Sequence, residues 1–387
     1  MASTIIIPPT MRALVLESKP DGVSITLKTV PTPEVQLGSV VVKVLANHLY
    51  PGTVRKWTNK GDSDFVFTHP SPMIPGNYAV ARVVVAGADA TALSPGQLVI
   101  VEPFVRGRDN SDIQILWGAY DGHLPASKKL AANVWRDGLL AEYARTPLEN
   151  TWAVNEAVLC GSPADGGFGY SIPELAFMPV SCVAYGGLRG INLKAGETIV
   201  VSPATGLFSM SAVAIATAIG AKVIAVSRNA ERLKRLQEIF PKVKTVVPTG
   251  DSAKDTATIM AHGPVDAFVD VSPPEAKGSG HLKSCIDSLR QYGRISLLGG
   301  RGDPSIPLSY IMAVLKNLTI RGQYMYERED VKGLIKLVES GAMPIGKAAG
   351  MPVVGQFSLE RWAEGFEAAE RDSVLADMVS LRPHGTD

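Results

Sequence analysis

The sequence has few features of secreted, membrane-bound or nucleic-acid-binding proteins. Its three cysteines, Cys160, Cys182 and Cys285, form no Cys-x-x-Cys pair, so neither a disulfide scaffold nor a cysteine-rich zinc site is expected. The apolar run at residues 5–7 is too short for a secretory signal, and no stretch of about 20 apolar residues occurs elsewhere. A net charge of +1 gives no electrostatic case for binding nucleic acid or an anionic membrane. We therefore expect a cytoplasmic protein whose partner is a small molecule.

The 387 residues, 46% of them hydrophobic, suit a globular protein of two domains. Residues 1–158 hold short β-branched runs bounded by glycine, proline and aspartate, which predict an antiparallel, barrel-like body. Residues 105–137 interrupt this rhythm with a polar stretch typical of a binding loop or lid. Residues 159–322 alternate apolar strands with helices, as in a doubly wound parallel sheet. Residues 323–387 are expected to return to the first domain.

The stretch VVSPATGLFSMS, residues 200–211, is typical of the turn between a buried strand and a helix. In a doubly wound sheet the first such turn meets the pyrophosphate of a dinucleotide, and the helix N-terminus favours the anion. Only one glycine of the usual three is present, so the motif alone fits an ordinary turn equally well. The candidate cofactor-binding residues here are Ala204, Thr205, Gly206, Leu207 and Phe208.

The end of the second strand indicates which dinucleotide is bound. Enzymes that use NAD carry an acid about 20 residues after the glycines, where it binds the ribose hydroxyls. Here that position reads Ser227-Arg228-Asn229, with Arg232 shortly after. A hydroxyl and a guanidinium bind a 2′-phosphate that a carboxylate would repel. The sequence therefore predicts NADP(H), the alternative being that Arg228 is merely a solvated residue at a helix start.

Several segments together resemble the medium-chain dehydrogenase/reductase superfamily. They are MRALVLE, VVVKVLAN, IPGNYAVARVVVAGADATALSPGQLVIV, LLAEYARTPLENTWAVNE, PVSCVAYGGLRGINLKAGETIVVSPATG and GRISLLGG. The resemblance implies a GroES-like catalytic domain over residues 1–158 and a Rossmann domain over residues 159–322. It also implies a homodimer formed through the strand LTIRG. Further cofactor contacts are expected, from the resemblance and partly from strand ends, at Tyr185, Ser272, Leu298, Gly299 and Gln323. The last four are alternatively ordinary residues of the loops between strands and helices.

The sequence departs from zinc-containing members of this family at the metal ligands. Tyr50 stands where those members carry cysteine, and Asn77 and Tyr78 replace a His-Glu pair. Pro179 lies near the third ligand position, and residues 105–137 lack the four cysteines of a structural zinc site. Tyrosine and asparagine are poor zinc ligands, so no metal is expected.

Without a metal, charge that develops on a substrate oxygen must be met by hydrogen-bond donors. We therefore predict NADPH-dependent reduction of a C=C bond conjugated to a carbonyl. The resemblance to zinc-independent members of the family implies an enone, quinone or enoyl thioester as the substrate. The candidate donors are Tyr50, Tyr78, Asn77 and His48. The alternative role of Tyr50 and Tyr78 is packing, and His48 is alternatively a hydrogen-bonded or surface histidine. Two other functions stay open: reduction of a ketone or oxidation of an alcohol, and NADP(H) binding without turnover. Trp57, Trp117, Tyr120 and Trp135 are expected either to form a substrate wall or to belong to the core.

Overall fold

The structure, a computed structural model, describes residues 7–20, 22–58, 67–300, 302–303, 305–372 and 377–385. Most of the apolar run at residues 5–7 therefore lies outside the described part of the chain. Two large sheets dominate these residues, one mainly antiparallel and one wholly parallel. This arrangement confirms the expected fold class, a Rossmann-type parallel sheet beside a β-rich domain.

The mainly antiparallel sheet has seven strands in the order β16-β17-β3-β4-β5-β9, with β8 paired to β3. Two hairpins, β1-β2 and β6-β7, flank it. The strands are β1 (Thr10–Lys19), β2 (Gly22–Pro31), β3 (Ser39–Leu49), β4 (Ala79–Ala86), β5 (Leu98–Val101), β6 (Phe104–Arg106), β7 (Gln114–Leu116), β8 (Tyr143–Pro147), β9 (Thr151–Ala153), β16 (Val353–Phe357) and β17 (Met378–Leu381). Strand β3 is almost continuously buried because it lies inside the sheet, paired with β4 on one side and with β17 and β8 on the other. It ends directly before Tyr50.

The parallel sheet has six strands in the order β12-β11-β10-β13-β14-β15. They are β10 (Thr198–Ser202), β11 (Lys222–Val226), β12 (Lys244–Val246), β13 (Val265–Asp270), β14 (Leu289–Leu297) and β15 (Thr319–Gly322). The chain order reverses between β10 and β13, and ligands bind outside the carboxyl ends of the strands at such a point. The turn after β10 therefore lies at the expected crevice.

Twelve helices connect and cover the two sheets in the described residues. They are α1 (Thr53–Thr58), α2 (Pro125–Asn133), α3 (Glu156–Cys160), α4 (Ile172–Leu175), α5 (Phe177–Gly190), α6 (Leu207–Ile219), α7 (Ala230–Ile239), α8 (Ser252–Met260), α9 (His281–Asp287), α10 (Tyr310–Leu315), α11 (Arg328–Glu339) and α12 (Trp362–Asp372). Helix α6 ends at Gly220, whose φ of 94° is the left-handed conformation that glycine tolerates. None of the described helices is long and apolar enough to cross a membrane.

The C-terminal segment joins the two sheets. Strands β16 and β17 extend the first sheet beside β3, and Ser380 of β17 lies opposite His48. Asp377, directly before β17, accepts hydrogen bonds from both terminal guanidinium nitrogens of Arg235 in α7. Because α7 follows Arg228, this ion pair connects the expected 2′-phosphate region to the strand that neighbours β3.

Residues 105–137 are more ordered than a polar binding loop would be. They contain the hairpin partner β7 and helix α2, and they contribute to a hydrophobic core. Trp117 and Trp135 are buried in that core, with ring centroids 6.3 Å apart. Trp57 packs against Phe366 in a separate cluster. These tryptophans therefore form no common substrate wall, and the core alternative describes them better.

Candidate active site

The turn after β10 has the shape that an anion requires. Gly206 is the N-terminal capping residue of α6, and a Cβ added there would meet only Ser209 Oγ, at 3.7 Å. Packing within the protein therefore does not demand glycine, whereas a ligand approaching the helix N-terminus would. The flanking Ala204 and Leu207 are buried, which fixes the turn between sheet and helix. A dinucleotide pyrophosphate fits this arrangement.

The neighbouring strand end presents a hydroxyl and a cation. Thr205 and Ser227 join the two strand ends by a hydrogen bond of 2.7 Å between their hydroxyl oxygens. Arg228 follows directly and is exposed. Asn229 Oδ1 accepts a hydrogen bond from the Arg232 backbone N–H and thereby begins α7. No carboxylate occupies residues 227–229, in agreement with the pattern that favours a 2′-phosphate.

Three of the other expected cofactor residues, Gly299, Leu298 and Ser272, lie in close contacts within the protein. A Cβ at Gly299 would come within 2.9 Å of Ser272 backbone atoms and the Asp270 carboxylate, so only glycine fits there. Leu298 packs against Gly187 of α5. Ser272 is 1% exposed, and its hydroxyl donates to Asp270 and contacts His281 Nε2 at 3.0 Å. The Ser272 side chain is therefore engaged inside the protein.

Tyr185 and Gln323 are held by contacts within the protein. The Tyr185 hydroxyl lies against Gly333 of α11, so helix packing accounts for its burial. Gln323 Oε1 accepts a hydrogen bond from Arg321 Nε at 2.9 Å, and its Nε2 donates to the Met325 carbonyl at 3.4 Å. Both side chains thus have contacts within the protein, and their contact with the cofactor stays a prediction.

A cluster of aromatic and amide side chains lies opposite the turn. Asn77 Nδ2 donates a hydrogen bond of 3.2 Å to the Tyr50 hydroxyl oxygen. The Tyr50 ring meets Tyr78 edge-on at 6.1 Å and Phe208 edge-on at 6.4 Å. Because Phe208 belongs to the first turn of α6, the Tyr50 cluster faces the expected cofactor across the boundary between the two sheets.

Backbone geometry positions Asn77. Gly76 has a φ of 111°, and its amide donates to the Gly118 carbonyl at 2.9 Å. A Cβ at Gly76 would approach Leu140 to 2.7 Å. Glycine is thus required for both conformation and space, and it turns the chain so that Asn77 and Tyr78 lie beside Tyr50.

His48 differs from the other three candidates. It is 4% exposed, and neither ring nitrogen has a hydrogen-bond partner among the described residues. Burial lowers its pKa to about 4, so the imidazole is neutral at pH 7. Its ring stacks on Tyr50 at 6.2 Å. The ring is therefore neither at the surface nor hydrogen-bonded within the described part of the chain, and a role of His48 as acid or relay stays a prediction.

The side chains at the zinc-ligand positions do not fit a zinc ion. Tyr50, Asn77 and Tyr78 offer two phenols and an amide. Cys182 is fully buried, and burial raises the pKa of its thiol well above the usual value. Within the described part of the chain no group of three His, Cys, Asp or Glu side chains is placed to hold a metal.

Glu102 is a member of this region that sequence patterns did not indicate. It is 3% exposed, and it accepts hydrogen bonds from the Tyr326 hydroxyl at 2.6 Å and the Asn150 amide at 2.6 Å. Burial raises its pKa to about 7. The only available signal was an acid directly after the apolar run LVIV of β5.

Comparisons with known proteins agree with this architecture. The family model for the alcohol dehydrogenase GroES-like domain matches residues 36–156, and that for zinc-binding dehydrogenases matches residues 209–340. The chain belongs to the medium-chain dehydrogenase/reductase superfamily. It is therefore an oxidoreductase of a family that uses a nicotinamide dinucleotide.

Individual members of the superfamily resemble the chain over most of its length. L-threonine 3-dehydrogenase of Ruegeria pomeroyi is 27% identical over 354 residues, which is 91% of this chain and 94% of that protein. Acryloyl-coenzyme A reductase of Sulfurisphaera tokodaii is 27% identical over 321 residues, covering 81% and 84%. A thermostable alcohol dehydrogenase from Pyrobaculum aerophilum has the same fold, with a TM-score of 0.68 at 19% identity over 97% of this chain and 100% of that one.

Proposed function

We propose that this medium-chain dehydrogenase/reductase reduces a C=C bond conjugated to a carbonyl, using NADPH and no metal. The observation that carries the proposal is the Tyr50–Asn77–Tyr78 cluster, which faces the turn at Gly206. By the family resemblance, these residues would replace the metal ligands of zinc-containing members. The similarity to a relative named acryloyl-coenzyme A reductase supports it, because that name describes a conjugated thioester.

NADPH is proposed as the cofactor because of the groups at the two strand ends. Gly206 and the N-terminus of α6 would hold the pyrophosphate, and Ser227 and Arg228 would hold the 2′-phosphate. When bound, the cofactor supplies a hydride from nicotinamide C4 to the β-carbon of the substrate.

The chain's own residues stabilise the charge that then develops on the carbonyl oxygen. Asn77 donates to the Tyr50 oxygen, which orients the phenol and strengthens it as a donor. Tyr50 is proposed to hydrogen-bond the substrate oxygen, and Tyr78 to supply the proton that completes the reduction. Removing a single such donor typically costs about 100-fold or more in turnover.

The experiment is a substrate panel with purified protein, NADPH and an added chelator, followed by the loss of NADPH absorbance. Conjugated enones, quinones and enoyl thioesters are compared with their saturated ketone counterparts. We expect oxidation with the conjugated compounds, unaffected by the chelator, and no stoichiometric zinc by metal analysis. Oxidation by saturated ketones alone, or activity abolished by the chelator, would contradict the proposal.

Reduction of a ketone, or the reverse oxidation of an alcohol, is the second candidate. The names of several relatives favour it, among them L-threonine 3-dehydrogenase and the sorbitol dehydrogenase of Bacillus subtilis, which is 24% identical over 94% of this chain and 94% of that protein. In that case Tyr50 would donate its proton to the carbonyl oxygen. The same panel separates the two reactions, and tight NADPH binding without oxidation would indicate a protein that binds the cofactor without turnover.

A homodimer through β15 is also proposed. The strand lies at the edge of the parallel sheet, and all four of its residues are exposed. The adjacent helix α10 exposes apolar side chains, including Tyr310 at 84% and Leu315 at 59%. An open sheet edge beside exposed apolar groups is suited to pairing with a second copy. Sedimentation of Ile320→Arg should show monomers if this edge is the interface, and unchanged dimers would place the interface elsewhere.

A further inference from the structure

Glu102 is a buried carboxyl group beside the proposed acid Tyr78. Strands β4 and β5 are antiparallel, and their register pairs Ala79 with Val101. Tyr78 directly precedes Ala79 and Glu102 directly follows Val101, so the two residues lie next to this pair at the same end of the strands. Tyr78 is 4% exposed and Glu102 is 3% exposed. Burial is the largest cause of the raised pKa of the Tyr78 phenol, and charges on Tyr50, Cys182 and Glu102 raise that pKa further. A charge on Glu102 therefore acts on the Tyr78 phenol across a buried region of the protein.

Within the described residues, the hydrogen-bond donors to the Glu102 carboxyl group are neutral. Besides Tyr326 and Asn150, the Phe104 backbone N–H donates at 2.8 Å and the Trp152 indole N–H at 3.5 Å. These bonds favour the ionised form, whereas burial opposes it more strongly, which is why the pKa lies near 7. The group is therefore poised to change its charge near neutral pH.

A cavity of about 620 Å³ borders the buried Glu102 on the side away from the Gly206 turn, which is not part of its lining. Glu102 and Tyr326 line it, together with Arg106, Arg328 and Glu149. Arg106 is neutralised by Glu327 at 3.0 Å, and Arg328 lies over the Trp152 ring at 5.4 Å. A proton can therefore reach Glu102 from this cavity without entering the crevice at Gly206.

We propose that Glu102 is a positioning residue whose protonation state controls proton donation by Tyr78, and that it exchanges its own proton with solvent through this cavity. The inference rests on the proposed function. In each turnover the Tyr78 O–H bond breaks as the substrate gains a proton, and Tyr78 is then reprotonated by a proton drawn from solvent.

The charge state of Glu102 decides how readily the first of these steps occurs. Neutral Glu102 leaves the phenol free to lose its proton, whereas ionised Glu102 places a negative charge beside the phenolate that would form. The titratable groups facing Glu102 are Tyr78, Tyr326 and the Cys182 thiol of α5. Burial raises the pKa of all three well above its usual value, so Glu102 is the member of this group that titrates near neutrality.

The test is the pH dependence of kcat at saturating NADPH and enone. Wild-type kcat should fall at least about tenfold between about pH 6 and about pH 9. Glu102→Gln should lose this inflection. Tyr326→Phe should move it to higher pH, because the Tyr326 hydroxyl bonds to the carboxylate and favours ionisation. Glu149→Gln, which alters a carboxylate on the same cavity, is the matched control and should keep the wild-type profile.

A measurement without turnover separates this inference from the proposed function. Infrared difference spectra across the same pH range should show the loss of one protonated carboxyl band near pH 7 that is absent from Glu102→Gln. A wild-type enzyme that reduces no conjugated substrate counts against the proposed function. A Glu102→Gln enzyme that keeps the wild-type inflection, or wild-type spectra without the band, would overturn the role given to Glu102.

Discussion

His48→Phe is expected to stabilise the protein at neutral pH. The native ring is buried, stacks on Tyr50 and leaves both nitrogens without a partner among the described residues. An unsatisfied buried polar group costs about 1–3 kcal/mol, and phenylalanine removes it while keeping a ring for the stacking contact. We therefore expect the free energy of unfolding at pH 7 to rise by about 1–3 kcal/mol.

The same substitution should change the dependence of stability on acid. Burial lowers the pKa of His48 from 6.5 to about 4 in the folded protein. The unfolded chain therefore binds a proton that the folded chain does not, and stability is lost as pH falls from about 6.5 towards about 4. A difference of this size corresponds to roughly 3 kcal/mol. His48→Phe lacks this loss, so its advantage over wild type should grow as the solution is acidified.

Urea denaturation at several pH values between about 4 and about 8 measures both effects. His262→Gln, in which an exposed histidine is replaced, is the control and should follow the wild-type curve. A His48→Phe protein that is less stable than wild type at pH 7 would refute the reasoning. A loss of turnover of about 100-fold or more in a folded variant would show instead that His48 takes part in proton transfer.

Three further substitutions test the rest of the site. Gly206→Ala should leave the melting temperature unchanged, because the added Cβ meets only Ser209 Oγ, at 3.7 Å. NADPH binding, measured by calorimetry, should weaken at least about tenfold. A large loss of stability would mean that glycine is needed for packing. Arg228→Ala should weaken NADPH by about 10-fold or more and NADH little, because only NADPH carries the 2′-phosphate, and equal losses would contradict the assignment. Tyr50→Phe should lower kcat about 100-fold with little change in NADPH affinity. A Tyr50→Phe enzyme with wild-type activity would show that Tyr50 only packs against its neighbours.

The parts of the fold that sequence patterns predict best are those with strong local signals. The alternation of apolar strands and helices after residue 159 leads directly to the six-stranded parallel sheet. Gly220 and Asn229, a left-handed C-terminal residue and a side-chain N-terminal cap, mark helix ends at single positions. The turn at Gly206 follows from the same logic, because its place in the chain order fixes its place at the sheet edge.

The parts that sequence patterns miss depend on contacts between distant segments. The Glu102 site needs Tyr326, which lies 224 residues away in the chain and meets it only in the folded protein. The close contact of the Tyr185 hydroxyl with Gly333 on α11 likewise joins segments that are far apart in the sequence. Residues 105–137 are mostly polar, yet Trp117 and Trp135 within them are part of a hydrophobic core.

The measurement that tests the central claim most directly is the position of deuterium in the product. A conjugated enone is reduced with NADPH that carries deuterium at nicotinamide C4, in the presence of a chelator, and the product is analysed by NMR. The account predicts a saturated ketone with deuterium on the β-carbon. An allylic alcohol with deuterium on the carbon that bears the hydroxyl would show that hydride is delivered to the C=O bond, and would contradict it.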